Sequence, residues 1–150
     1  MSFSKNLSKT MRVLVDIAKE LEESVDSGNH ERIAAALDQG ANPNIYHSSR
    51  RETLLMTACF NCDLTAVRQL LDAQADPNQG ISDRPRGEQI TPLMIAAECG
   101  MTEAVSELLN AKADPHTRNS NGETALLAAA RTNNHDAFAV LVGSMVSTAT

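Results

Sequence analysis

One sequence frame recurs along this chain of 150 residues, and the recurrence restricts the possible folds more than any other feature. Three copies of the frame end in an Ala followed by an Asn-Pro or Asp-Pro pair, and a fourth copy begins at Asn133. The three complete copies run over residues 28–44, 62–78 and 100–116. A unit this short buries little apolar surface alone, so the recurrence predicts units that stack on one another in a row.

Each copy of the frame carries apolar residues at i, i+3 and i+4, which is the spacing that lines one face of a short helix. Asn29, Asp63 and Asn134 stand where such a helix needs a side-chain acceptor for its free backbone amides. The frame therefore predicts a capped amphipathic helix in every unit. The apolar triplets are Ile33/Ala36/Leu37, Val67/Leu70/Leu71, Val105/Leu108/Leu109 and Phe138/Leu141/Val142.

A second, shorter helical pattern precedes the later frames. The run Thr91 to Ala96 is T-P-L-M-I-A, in which Thr is an N-cap and Pro takes the first helical position. The runs Thr53 to Cys59 and Thr124 to Ala130 follow the same plan. Each unit is therefore predicted to pair a short inner helix with an outer helix.

These residues resemble the ankyrin repeat, whose signature is T-P-L-H-x-A, and the run Thr91 to Ala96 matches it with Met94 in place of His. The resemblance covers roughly 19–142. It implies an all-α repeat solenoid of four helix pairs with β-hairpin fingers between them, the first and last pairs acting as caps. We expect one domain over 1–150, with a cap helix at about 8–27, repeats at about 19–44, 45–78, 79–116 and 117–145, and a frayed tail at 146–150.

The first unit departs from the T-P-L pattern. Its inner helix merges into a longer N-terminal helix, which we interpret as the cap that an open solenoid end requires. The apolar stripe of that helix includes Met11, Leu14, Val15, Ala18 and Leu21.

The end of each outer helix is a second point of interest. Gly40 ends the first outer helix, where the resemblance implies a left-handed backbone, and Gln74 and Lys112 fill the equivalent places. A non-glycine residue in that conformation costs about 1 kcal/mol. We expect glycine at either position to be neutral or stabilising.

Composition argues against several functional classes. The net charge is −6 and no basic stripe appears, which disfavours binding to nucleic acid or to an anionic membrane. The histidines form no H-E-x-x-H pattern and there is no glycine-rich phosphate loop, so we expect neither an enzyme nor a cofactor. Three cysteines in a chain that needs no disulfide favour a reducing compartment, and we expect a cytoplasmic monomer.

The resemblance implies a protein-protein interaction module, such as an adaptor, an inhibitor or a scaffold, that binds through its fingers and its concave inner-helix face. The finger arginines suit a partner with an acidic or phosphorylated patch, although solvated arginines explain the same pattern. The exposed residues of this surface are His47 and Asn119 together with those expected to contact the partner, which are Tyr46, Arg50, Arg51, Met56, Phe60, Arg84, Arg86, Met94, Glu98, Arg118 and Arg131.

Two alternative functions stay open at this point. A bacterial effector delivered into a host cell would have a similar sequence, although nothing here marks a secretion signal. Cys59 and Cys62 form a C-x-x-C string, which could serve a redox- or metal-responsive domain, with Cys99 as the nearest further thiol candidate.

Overall fold

The structure, a computed structural model, describes residues 2–82 and 89–148, with side chains from 8 to 81 and from 89 to 147. A two-stranded antiparallel hairpin, β1 (Ile81–Ser82) and β2 (Gln89–Ile90), pairs Ile81 with Ile90. The helices of the described residues are α1 (Ser2–Ser27), α2 (His30–Asp38), α3 (Leu54–Phe60), α4 (Leu64–Asp72), α5 (Pro92–Glu98), α6 (Thr102–Asn110), α7 (Ala125–Arg131) and α8 (His135–Thr148).

The helices pack in pairs, and each pair packs on the next. The inner helices α1, α3, α5 and α7 contact one another in sequence, and the outer helices α2, α4, α6 and α8 do the same. Three fingers, residues 41–53, 75–91 and 113–124, connect the pairs. Contacts between successive units define a solenoid, so the predicted all-α repeat architecture is confirmed.

Threonine side chains start the short inner helices. Thr53, Thr91 and Thr124 each accept a hydrogen bond from the backbone N–H three residues later, at the first turns of α3, α5 and α7. An N-cap of this kind contributes about 0.5–2 kcal/mol, which matters for helices of only seven residues.

The outer helices use their predicted caps less uniformly. Asn29 and Asp63 accept backbone N–H bonds at the starts of α2 and α4. Asn134 instead donates through its amide to the carbonyl oxygens of Ala97 and Glu98, at 3.0 and 2.8 Å. That side chain therefore ties the fourth unit to the third.

Apolar residues of the outer helices form one continuous buried seam. In the predicted triplets, the first residue is buried in three of the four and the second residue is buried in all four. The third residue of every triplet is half-buried. Phe138 departs from this pattern and is exposed in α8, the last outer helix of the described residues, although Ala137 beside it is buried as Ala66 and Ala104 are at the equivalent positions. The largest buried side chains of the seam are Ile33, Val67, Leu70, Val105, Leu108 and Leu141.

The turns after each Ala link neighbouring units. The side-chain oxygen of Asn44 accepts the backbone N–H of Asp76 at 2.6 Å, and that of Asn78 accepts the N–H of Asp114 at 2.7 Å. Each Asx residue after a proline thus satisfies a backbone donor of the next finger. These bonds hold the finger bases in register along the stack.

Both terminal helices are longer than the sequence predicted. The first helix begins at Ser2 rather than near residue 8, and α8 continues to Thr148 through most of the segment expected to fray. Leu21 is buried against the stack, but Met11, Leu14 and Val15 are exposed, because α2 is much shorter than α1. No helix of the described chain is long and apolar enough to cross a membrane.

The left-handed turns generate the first prediction. Gln74 and Lys112 have φ angles of 70° and 74°, in the region that Gly40 occupies at 91°. We expect Gln74→Gly and Lys112→Gly to leave the free energy of unfolding unchanged or to raise it by up to about 1 kcal/mol. Urea denaturation measures this. Ala73→Gly, one residue earlier with an ordinary φ of −83°, should instead lose stability, and clear losses for both variants would contradict the assigned register.

Gly80 at the base of the second finger generates another prediction. A Cβ at Gly80 would collide with the backbone carbonyl of Ile90, whereas a Cβ at Gly143 in α8 meets open space. We expect Gly80→Ala to lower the free energy of unfolding by about 1–3 kcal/mol and Gly143→Ala to raise it by about 0.5–1 kcal/mol. Equal effects of the two variants in urea denaturation would rule out this close approach.

Candidate functional site

A groove of about 570 Å³ opens between the first and second fingers. Its position makes it the junction of two neighbouring units rather than a pocket inside one of them. The groove is lined by Tyr46, His47, Ser48, Ser49, Arg50, Arg51, Gly80, Ile81 and Gln89.

Tyr46 connects the two walls of the groove. It forms an isolated antiparallel bridge with Thr53 that closes the first finger, and its hydroxyl donates to the carbonyl oxygen of Gly80 at 3.3 Å. The side chain remains 52% exposed, so the ring presents an apolar face while its hydroxyl is held. A half-exposed tyrosine fixed in this way can contact a partner at little cost in conformational entropy.

His47 anchors the first finger to α1, and our expectation that it faces outward is wrong. The ring is buried, and its Nε2 lies 2.9 Å from the Asp26 carboxylate, while Nδ1 accepts the backbone N–H of Ser49 at 3.2 Å. This pattern requires the proton on Nε2, which donates to Asp26. Glu22 adds a second anchor by accepting the backbone N–H of Ser48 at 3.0 Å.

The two arginines of the first finger differ in whether neighbouring carboxylates neutralise their charge. The Arg50 guanidinium lies 3.4 Å from the carboxylates of both Asp26 and Glu52. Arg51 is exposed, and within the described part of the chain it has no ion-pair partner. Among the described side chains, Arg51 therefore supplies the groove with a positive charge that is available to pair with an acidic group.

The third finger adjoins the second through its backbone. The carbonyl oxygen of Arg118 accepts the N–H of Gln89 at 3.1 Å, and the exposed Arg118 guanidinium donates to Gly122 at 3.2 Å. Asn119 is half-buried and bonds to Glu123 within its own turn. Arg118 thus lies outside the groove but on the same row of fingers.

The prediction that two methionines form part of the exposed binding surface is wrong. Met56 and Met94 were expected on the concave face, but both are buried. Each lies three residues after its capping threonine, in an inner helix on which the next inner helix packs. Leu127 holds the same position in α7, the last inner helix of the described residues, and is 50% exposed.

A second row of predicted residues lies at the far ends of the inner helices. Phe60 is 53% exposed at the end of α3, about 10 Å along the helix from the first finger. Glu98 and Arg131 pair with each other at 2.8 Å, and Arg131 also lies 3.4 Å from Glu123. The hydrogen bond that Arg131 donates to the Glu98 carboxylate raises the pKa of Arg131. The remaining two predicted contacts, Arg84 and Arg86, lie outside the described residues.

The C-x-x-C string does not form a matched thiol pair. Cys59 is fully buried in α3, where burial raises the pKa of its thiol, whereas Cys62 is exposed in the following turn. A reactive cysteine pair needs two accessible thiols, and Cys59 is not accessible. Among residues with described side chains, no three His, Cys, Asp or Glu groups come together as a metal site.

Five groove residues were not predicted from the sequence. Ser48 and Ser49 directly precede Arg50 and Arg51 in the sequence, and this adjacency could have identified them as part of the same surface. The other three become neighbours of the first finger only through the hairpin pairing. They are Gly80, Ile81 and Gln89.

Comparison with known proteins agrees with this architecture. Residues 78–149 match the family model for three copies of the ankyrin repeat, and residues 50–79 match the model for a single ankyrin repeat. The chain is also 29% identical over 151 residues to neurogenic locus notch homolog protein 1 of Xenopus tropicalis. That alignment covers 81% of this chain but only 6% of the relative. Since the matched models, the repeat frame and the stacked helix pairs agree, the chain belongs to the ankyrin-repeat family.

Proposed function

We propose that this chain is a protein-binding module, acting as an adaptor, an inhibitor or a scaffold, whose main contact surface is the groove between the first two fingers. Ankyrin repeats generally mediate interaction between proteins, and proteins built from them are typically not enzymes. The observation that carries the proposal is that the groove holds both an exposed Arg51, which has no ion-pair partner among the described residues, and a half-exposed Tyr46 whose hydroxyl is anchored. Tyrosine and arginine are the residue types that most often dominate binding energy at interfaces.

The chemistry of the groove favours an acidic segment of a partner protein. Arg51 can donate two parallel hydrogen bonds to a carboxylate or a phosphate, whereas the Ser48 hydroxyl on the same wall already donates to Glu22. The chain carries a net charge of −6, so an acidic partner is repelled elsewhere and attracted here. Such a contrast orients the partner during association.

The rest of the predicted surface takes a supporting role in this proposal. Phe60 offers an exposed apolar contact beyond the groove, while the Glu98–Arg131 pair is already satisfied internally. Arg118 extends the row of fingers past the groove. We also propose a monomer in a cytoplasmic setting, since three cysteines in a chain that needs no disulfide favour a reducing compartment.

Matched charge variants test the proposal. Arg51→Ala removes the free charge from the groove, and Arg12→Ala removes an exposed charge from the distant part of α1. Proteins captured from a cell extract by each variant are quantified by mass spectrometry. We expect Arg51→Ala to reduce capture of the specific partner about tenfold, and Arg12→Ala to leave it near the wild-type level.

The salt dependence of the interaction provides an independent measurement. Association of the captured partner with the wild type should slow as salt rises, and Arg51→Ala should show a weaker dependence. Capture that is equal for Arg51→Ala and Arg12→Ala, with the same salt dependence, would contradict a groove-centred interface.

A further inference from the structure

Two cysteines from neighbouring units meet at the ends of adjacent inner helices. Cys62 lies in the turn after α3, and Cys99 is the C-cap residue of α5, which packs directly on α3. Both residues are exposed, and their side chains are within hydrogen-bonding contact of each other. The sequence pattern C-x-x-C directs attention to Cys59, but the pair that the fold assembles is Cys62 with Cys99.

The repeat register gives an independent reason for this contact. Asn61 is the C-cap residue of α3, and its amide reaches back to the carbonyl oxygen of Val25 in α1 at 3.5 Å. Cys99 holds the same C-cap position one unit later. By this register the C-cap side chain of one unit lies against the last turn of the preceding inner helix, which for Cys99 is the end of α3 at Cys59, directly before the turn that contains Cys62.

We propose that Cys62 and Cys99 form a two-thiol modification site, which peroxides or small-molecule disulfides convert into a single disulfide linking the second and third units. The proposal does not depend on what the groove binds. It assigns a chemical function to a part of the surface that the fingers do not use.

The two thiols have different roles in the reaction. Burial and then the neighbouring Cys62 raise the pKa of Cys99, which keeps Cys99 protonated at neutral pH. Cys62, which is exposed in its turn, therefore attacks the oxidant in the first step of disulfide formation. Cys99 suits the second step, in which it attacks the modified Cys62.

The chemistry balances with a peroxide as the oxidant. The Cys62 sulfur attacks a peroxide oxygen, the O–O bond breaks, and a sulfenic acid forms with release of one water or alcohol. The Cys99 sulfur then attacks the Cys62 sulfur, its proton leaves with the hydroxyl as water, and the S–S bond forms. With a small-molecule disulfide, Cys62 first forms a mixed disulfide and Cys99 displaces the second small thiol.

The product would lock two units together. A bond between residues 62 and 99 encloses α4, the second finger and α5, so one wall of the groove lies within the closed loop. Cross-linking a loop of this length restricts the unfolded chain and stabilises the folded one. Oxidation would therefore fix the relative position of the units that carry the second and third fingers.

Intact-mass and peptide-mapping measurements on the full chain test the proposal. Reduced protein is treated with hydrogen peroxide or oxidised glutathione, and the wild type is compared with Cys62→Ser, Cys99→Ser and the buried control Cys59→Ala. We expect the wild type and Cys59→Ala to lose two hydrogen atoms in mass and to yield a peptide linking residues 62 and 99. Their melting temperature should rise by about 5–10 °C and return on reduction.

The single-serine variants separate the two steps. Cys99→Ser should accumulate a sulfenic acid on Cys62 that a dimedone probe traps, while Cys62→Ser should form no intramolecular disulfide and consume peroxide at least about tenfold more slowly. Thermal melting under reducing conditions checks that both variants are folded. A linkage between Cys59 and Cys62, an intramolecular disulfide in either serine variant, or only intermolecular disulfides in the wild type would overturn the proposal.

Discussion

Burial of each helix pair under the next is the interaction on which the whole molecule depends. Leu70 of the second unit and Leu108 of the third are fully buried, and fully burying a leucine side chain contributes about 1.5–3 kcal/mol. Each unit contacts its neighbours rather than a common core, so these contacts also set the spacing of the fingers. The groove between the first two fingers exists only because the first and second units are stacked.

Polar contacts then fix the fingers on this apolar frame. Asn44 bonds to the backbone of the second finger, Tyr46 bonds to Gly80, and Gln89 bonds to the third finger through its backbone. On the other side, His47 ties the first finger to α1 through Asp26. The same acidic end of α1 that anchors the finger also neutralises Arg50, whereas Arg51 has no ion-pair partner among the described residues.

The sequence predicted the repeat, the helix pairs and most capping residues, because local spacing determines them. It did not predict the burial of Met56 and Met94, because whether an inner-helix side chain faces solvent depends on the unit that follows. It also placed His47 at the surface, since the contact of its ring with Asp26 at the end of α1 joins residues 21 positions apart in the chain. The sequence also did not predict that Cys62 lies beside Cys99, because the two residues come together only when α3 and α5 pack on each other.

A pair of substitutions at one repeat position tests the stacking most directly. Met56 and Leu127 both lie three residues after a capping threonine, but Met56 is buried in a helix on which α5 packs, and Leu127 is 50% exposed in the last inner helix of the described residues. In urea denaturation we expect Met56→Ala to lower the free energy of unfolding by about 2–5 kcal/mol, and Leu127→Ala to lower it by less than about 1 kcal/mol. Equal losses, or a larger loss at Leu127, would contradict a solenoid in which each unit is buried by the one that follows.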